Sequence, residues 1–331
     1  MKSWEELQKY YEKELLSDLK ELESIRKKTI LHIAGFTLFM LVTGFLVAML
    51  LGGMSFFMGE CTFTFCCLPI LPMAWIIVYF LGFSRLNSKY RKDYKAQVMP
   101  KIVKYLDEGL VYDFNRKISR EEFKRSGIFV SRLDAYTGED YVCGKLGKTQ
   151  IEFSEIHAQE KHETTDSRGH RRTHYATVFK GIFFIADFNK SFKQQTIVLP
   201  DTAEKLFGNM IGGFLQSKNI MRPPLVKMED PEFEKHFVVY GKDQIEARYL
   251  LSTSLMQRIT EFKKKTGKNI YLSFVDDKLM VAIPYKKDQF EPKLFSSIVD
   301  FSQIQEFYGV LRLVTGIVED LNLNTRIWSK R

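Results

Sequence analysis

Two charge-free stretches dominate the pattern of apolar and polar positions. No Asp, Glu, Lys or Arg occurs from Thr29 to Gly59 or, after Glu60, from Cys61 to Ser84. Each stretch supplies roughly 20 apolar residues, the length a helix needs to cross the hydrocarbon core of a bilayer. A backbone in lipid must close its own hydrogen bonds, which selects helices. Spans are predicted near Ile30–Leu51 and Phe63–Phe83, and Pro69 and Pro72 predict a kink in the second. Two buried core helices of a soluble protein are the weaker reading, because charge avoidance is long and the flanks are basic. Ahead of the first span, Trp4, Leu7, Tyr11, Leu15, Leu19, Leu22 and Ile25 recur every three or four residues. This spacing predicts a helix over Met1–Ile25 that runs into the span. Ser3 and Glu6 have the separation of a capping box. After the second span, Leu86, Tyr90, Tyr94 and Val98 form another helical stripe that ends near Pro100. Helices extended on the same side can form a short stalk, with oligomerisation through the stripes as the alternative.

From Gly127 the pattern changes to short alternating runs. Asp140–Lys145 and Thr149–Glu155 read as strands around a turn at Leu146–Gly147, followed by Thr173–Asp187, bulged near Gly181, and Gln195–Leu199. The polar stretch Gln159–Arg172 reads as a long exposed hairpin loop. Leu206–Leu215, interspersed with glycine, reads as a short helix or loop, and Arg222-Pro223-Pro224 as a boundary. Beyond it, Phe233–Tyr240, Tyr271–Phe274 and Leu279–Ile283 read as strands, the last two joined at Asp276-Asp277-Lys278. Ser254–Lys264 and Phe301–Leu321 read as helices. Ile304, Phe307, Tyr308, Leu311, Thr315 and Val318 form the buried face of the second.

The expected fold class is α+β. It comprises an amphipathic helix (1–28), a two-helix transmembrane hairpin (29–84), a juxtamembrane helical segment (85–126), an antiparallel β-rich cytoplasmic domain (127–222) and an α+β C-terminal region (223–331). Whether the last two share one core is open at this level.

Charge refines the picture. The 331-residue chain carries a net charge of +9. Arg26, Lys27 and Lys28 precede the first span, and Arg85, Lys89, Arg91, Lys92 and Lys95 follow the second. The connection between them has neither Lys nor Arg. The positive-inside rule puts both ends in the cytoplasm. The excess charge suits anionic lipid headgroups, and no recognisable module suggests nucleic acid. Cys61, Cys66, Cys67 and Cys143 lack zinc-site spacing.

Candidate chemistry is sparse. Gly147-Lys148-Thr149 has the end of a phosphate-binding loop, but Val142 stands where its first glycine is needed, so a β-turn explains Gly144–Thr149 better. His162, His170 and His174, with Glu163 and Asp166, form a histidine-rich patch. They fall in the expected loop beside Arg168, Arg171 and Arg172, so no metal site is predicted. Glu139, Asp140, Glu229, Asp230, Glu232 and Glu234 read as surface carboxylates. Glu246 and Arg248, two apart, would share a face of a strand or extended segment. No cofactor is predicted and catalytic residues are unknown; Glu139, Asp140, Glu246 and Arg248 are the positions to test for activity.

Several phrases together carry a resemblance. They are Tyr136-Thr137-Gly138-Glu139-Asp140-Tyr141, Phe179-Lys180-Gly181-Ile182-Phe183-Phe184, Glu232-Phe233-Glu234 with Phe237-Val238-Val239-Tyr240, Glu246-Ala247-Arg248-Tyr249-Leu250-Leu251, and Leu321–Trp328. The chain resembles a bacterial family of uncharacterised membrane proteins with a domain of unknown function after two transmembrane helices. The resemblance implies no catalytic or binding residue. It does imply a LemA-family membrane protein as a partner. The expected function is therefore a membrane-anchored binding or scaffold protein that assembles with membrane proteins or with itself. The alternative is a membrane-surface enzyme or lipid-binding protein acting on a lipid or envelope precursor.

Overall fold

A computed structural model describes residues 2–58, 70–165, 169–188, 192–201 and 222–324. The chain divides into two compact units, Lys2–Met99 with Glu291–Gln305, and Pro100–Phe290 with Glu306–Arg331.

In the first unit, Ser3 Oγ accepts from Glu6 N at 3.2 Å and Ser3 N donates to Glu6 Oε2 at 2.7 Å. This closes the capping box at the start of α1 (Trp4–Tyr10). A π-helical turn, Tyr11–Leu15, leads into α2 (Leu16–Met58), so the amphipathic helix continues into the apolar one as expected. Leu7, Tyr11, Leu15, Leu19 and Leu22 are buried. The continuous helix contains a window of mean hydropathy 2.2, only 11% buried, and among the described residues it alone is long and apolar enough to cross a membrane. The sequence predicts two such helices. The second helix, α3 (Ile70–Gln97), holds the later part of the second predicted span; residues 63–69, Pro69 among them, lie outside the described residues. Pro72 is the third described residue of α3. The two helices touch where Phe36 stacks on Tyr79 with ring centroids 6.0 Å apart. Away from that seam, Leu31, Leu38, Phe39, Leu41 and Phe45 on α2 and Ile76, Ile77, Phe80 and Leu81 on α3 are exposed.

The segment Glu291–Gln305 is tied to these helices by buried polar groups. Tyr11 OH donates to Val299 O at 2.5 Å, and Arg26 Nη1 donates to Leu294 O at 2.7 Å. Arg26 pairs with Glu23 at 2.6 Å, and Glu23 accepts from Ile298 N at 3.2 Å. The Arg26 hydrogen bond holds the Glu23 carboxyl below its usual range. Lys95 and Arg91 both pair with Glu291. Burial pushes the Glu291 carboxyl up, but its two cationic partners outweigh burial and hold it low.

The second unit contains α4 (Met99–Leu106, its first residue in the other unit), β1 (Leu110–Asp113), α5 (Arg120–Arg125), β2 (Ala135–Leu146), β3 (Thr149–Thr165), β4 (Arg171–Asp187) and β5 (Thr196–Pro200). After the boundary follow β6 (Leu225–Val226), α6 (Pro231–Glu234), β7 (Phe237–Gly241), α7 (Gln244–Leu250), α8 (Thr253–Thr266), β8 (Tyr271–Val275), β9 (Lys278–Pro284) and α9 (Phe301–Asp320, its first five residues in the other unit). The strands form an antiparallel sheet in the order β1-β2-β3-β4-β9-β8-β5-β7-β6. Strands from both sides of Arg222-Pro223-Pro224 therefore share one sheet, which answers the open question about a common core. With helices beside the sheet, the class is α+β.

Four local expectations need correction. The Gln159–Arg172 stretch is mostly ladder, because β3 and β4 pair as far as Thr165 and Arg171. A two-stranded ribbon needs backbone partners only, so with both faces in water it shows no apolar alternation. The β4 bulge falls at Val178, which is skipped between Ala158↔Phe179 and Gln159↔Thr177, rather than at Gly181. Asp230 caps α6, so Phe233 is helical and the strand starts only at Phe237. Glu246 and Arg248 lie on α7, capped by Asp243, and not on an extended segment. The Leu206–Leu215 segment lies outside the described residues.

One face of the sheet carries a core of Ile118, Phe123, Ile156, Phe179, Phe183, Tyr271 and Met280. Phe123 is its aromatic centre, with centroids 4.9 Å from Phe183 and 5.4 Å from Phe129. Asp276 and Asp277 both have positive φ, 50° and 60°, in the two-residue turn between β8 and β9.

Candidate functional site

Strand alternation and register assemble a polar cleft on the other face. Thr137 on β2, His157 on β3 and Lys180 on β4 are directly opposite one another in sequence of strands. Tyr285 N donates to Lys180 O at 2.9 Å and extends this row beyond β9. One row further in, Glu139 faces Glu155. Side chains two apart on a strand share a face, so the two rows converge. With Lys287, Asp288 and Gln289 they line a cleft of about 350 Å³.

The backbone geometry beside the cleft explains its glycines. Gly138 and Gly181 flank Ile156 in one register row. A Cβ on Gly181, whose φ is +154°, would lie 2.2 Å from Ile283 O; one on Gly138 would lie 2.4 Å from Glu155 O. Both distances are well inside van der Waals contact, so only glycine lets the strands approach this closely.

Two of the charged groups in the cleft have defined partners. Glu155 is buried and accepts from Gln289 N at 2.6 Å. Lys180 Nζ lies 3.0 Å from Asp288 Oδ1. Burial lowers the His157 pKa, the Lys180 ammonium lowers it further, and Asp288 works against both. The neutral ring lies 3.1 Å from Thr177 Oγ1. Burial, helped by Glu155, pushes the Tyr285 hydroxyl up to about 12, so it remains a hydrogen-bond donor. The cleft therefore offers cations, carboxylates, a neutral imidazole and a phenol within one small volume. Such a set can hold a polar ligand with both anionic and hydroxyl or cationic groups.

A second cleft of about 500 Å³ is lined by Tyr141, Cys143, Glu152, Asp187, Asp276 and Lys278 among others. There Tyr141 OH donates to Glu152 Oε2 at 2.7 Å, and burial raises the Tyr141 pKa.

Of the residues named from sequence as candidate chemistry, Glu139 alone lines the first cleft. Its neighbour Asp140 is buried at a bulge with φ +60° and accepts a hydrogen bond from Tyr112 OH. Glu246 accepts from Lys193 N and Gln194 N at 2.6 and 2.9 Å, while Arg248 Nε donates to Lys227 O at 3.2 Å. Both act locally on backbone. Asp230 caps a helix, Glu234 accepts from Met228 N at 2.8 Å, and Glu232 pairs with Lys264 at 2.7 Å. Gly147-Lys148 is the two-residue β2–β3 turn, one residue later than the expected Leu146–Gly147 because Leu146 still pairs with Thr149, and Lys148 N donates to Asn324 Oδ1 at 2.8 Å. His162 and His174 pair across β3 and β4. Sequence reasoning missed Glu155, His157, Lys180 and Tyr285. Alternation along β3 puts the first two on one face, but their partners come from strands whose pairing no local pattern announces.

The fold and cleft define an α+β protein with a long apolar helix and a large antiparallel sheet. The sequence profile of a family described as a protein of unknown function (DUF3137) matches residues 177–323. That span includes Lys180 and Tyr285 and excludes Glu139, Glu155 and His157. No curated protein matches the chain. Among solved structures, the mycobacterial trehalose monomycolate transport factor A, TtfA, aligns with 66% of this chain and 97% of its own at 12% identity. The TM-score is 0.31, and so loose a superposition carries no structural argument.

Proposed function

We propose that this chain is a membrane-anchored binding or scaffold protein. Its sheet-bearing region faces the cytoplasm of a bacterial cell, and the polar cleft recognises its ligand. The observation that carries the anchor is the outward exposure of Leu31, Leu38, Phe45, Phe80 and Leu81 on two mutually packed, uncharged helical stretches. In water such a surface would be an aggregation liability; in lipid it is the expected exterior. The two helices form a hairpin, and the basic residues at both its ends keep the termini in the cytoplasm. Other membrane proteins are the proposed partners, a LemA-family protein first among them.

A second reading is a membrane-surface enzyme acting on a lipid or envelope precursor. The convergence of Glu139, Glu155 and His157 favours it, since two carboxylates and a neutral imidazole can share proton transfer.

In-cell crosslinking, purification in mild detergent and mass spectrometry test the scaffold reading. A reproducible membrane-protein partner, lost when the chain from Gly127 onward is deleted, supports it. Recovery of the protein alone, or of partners unaffected by that deletion, overturns it.

A further inference from the structure

We propose that His162 and His174, with Glu160, form a binding site for a divalent transition-metal ion of the zinc type. The site lies on the projecting part of the β3–β4 ribbon. His162 and His174 are register partners on paired strands, their rings stacked with centroids 5.2 Å apart and planes 19° from parallel. Glu160 lies two residues before His162, on the same face, with Oε2 3.9 Å from His162 Nε2. Two imidazoles and one carboxylate are a competent ligand set for zinc, leaving a fourth position for water or for a ligand from a partner. As placed, the three ligand atoms do not all lie within 4.8 Å of one another, so metal–nitrogen bonds of about 2.0–2.1 Å require the two rings and the Glu160 carboxylate to turn towards a shared point, a change of rotamer open to side chains on an exposed ribbon.

The objection raised by the sequence is that these histidines sit in a floppy loop among arginines. The ladder removes its first half, since the ligands stand on hydrogen-bonded strands. Strand alternation weakens the second half. Lys161 and Arg171 point to the opposite face, where Glu163 lies 2.5 and 3.8 Å from them. Arg172 shares the histidine face, paired with Thr164 one register row beyond the ring pair on that face.

The ribbon also has a use for such an ion. Beyond Gln159 the side chains of β3 and β4 are largely exposed on both faces, and an isolated two-stranded hairpin is marginal in water. An ion held by one histidine from each strand crosslinks them where packing supplies little.

The full-length protein in detergent micelles, stripped of metal, would be titrated with Zn²⁺ by calorimetry and with Co²⁺ by visible absorption. The expected result is a single ion per chain, with Co²⁺ bands of a four- or five-coordinate site. His162→Ala and His174→Ala should each weaken binding by at least about 10–100-fold, the scale on which disturbed metal sites respond, and Glu160→Gln should weaken it less. His170→Ala should bind as the parent does. A melting transition unchanged in metal-free variants would show that the sheet is intact. Absence of binding at millimolar zinc overturns the proposal, as does affinity that survives both His162→Ala and His174→Ala.

Discussion

His157 on β3 stands directly opposite Lys180 on β4, and burial together with this ammonium depresses the imidazole pKa. In Lys180→Met the repulsive charge is gone and Asp288 loses its partner, so the His157 pKa should rise. It should stay below the ordinary value while burial persists. Proton chemical shifts of the His157 ring, followed through a pH titration, read this directly. The sign for stability follows from the depressed folded value. The contribution is present above the unfolded value near 6.5 and is lost as the pH falls through the folded one. The acid-side loss should therefore shrink in Lys180→Met.

Gly181→Ala should destabilise the sheet by about 1–3 kcal/mol or more, the scale of overpacking in a close-packed interior. The added methyl meets Ile283 O, a backbone atom that can move only with its strand. Gly138→Ala should act in the same direction, against Glu155 O. Thermal melting checks both, and unchanged transitions would show that the strands separate more easily than the register implies.

Glu23→Ala leaves Arg26 buried without its carboxylate. The expected cost is about 3 kcal/mol, the lower end for breaking a buried pair, because both groups lie near the surface of the helix. A joint Glu23→Leu, Arg26→Met variant should cost far less, since neither charge is then stranded. The Glu23 contribution is present above the ordinary carboxylate range. It fades as the pH falls through the lowered folded value. Denaturant unfolding at neutral and acid pH measures both effects.

Leu38→Arg distinguishes a lipid-facing helix from a soluble one. Leu38 is 64% exposed, so in water the substitution should be neutral. At the centre of a span it costs about 2.5–3.5 kcal/mol for insertion. The expected outcome is a reduced fraction resistant to alkaline extraction from membranes. Full retention would argue that this helix does not cross the bilayer.

Glu246→Ala should lower stability by about 1 kcal/mol, through loss of two backbone hydrogen bonds from Lys193 and Gln194. Ligand binding at the Lys180 cleft should be unaffected, because Glu246 does not line it. A change in binding with unchanged melting would reverse that assignment.

Much of the local architecture was legible in the sequence because it depends on near neighbours. The capping box at Ser3, the buried stripe Leu7–Leu22, the β8–β9 turn at Asp276-Asp277 and the buried face of α9 all follow from spacing within a few residues. So does the apolar length of α2, since hydrocarbon demands an uncharged helix. Long-range pairing is different. Nothing local states that β9 lies between β4 and β8, or that β5 lies between β8 and β7, because each strand's alternation suits many partners. The cleft inherits that limit. Thr137, His157, Lys180 and Tyr285 come from four separate stretches and meet only through register. The burial of Glu23 and Arg26 was hidden for the same reason, since their backbone partners Ile298 and Leu294 lie far along the chain. The histidine pair shows the boundary most plainly. Composition placed His162 and His174 in a loop, whereas the ladder, a property of two strands and not of one, set them face to face.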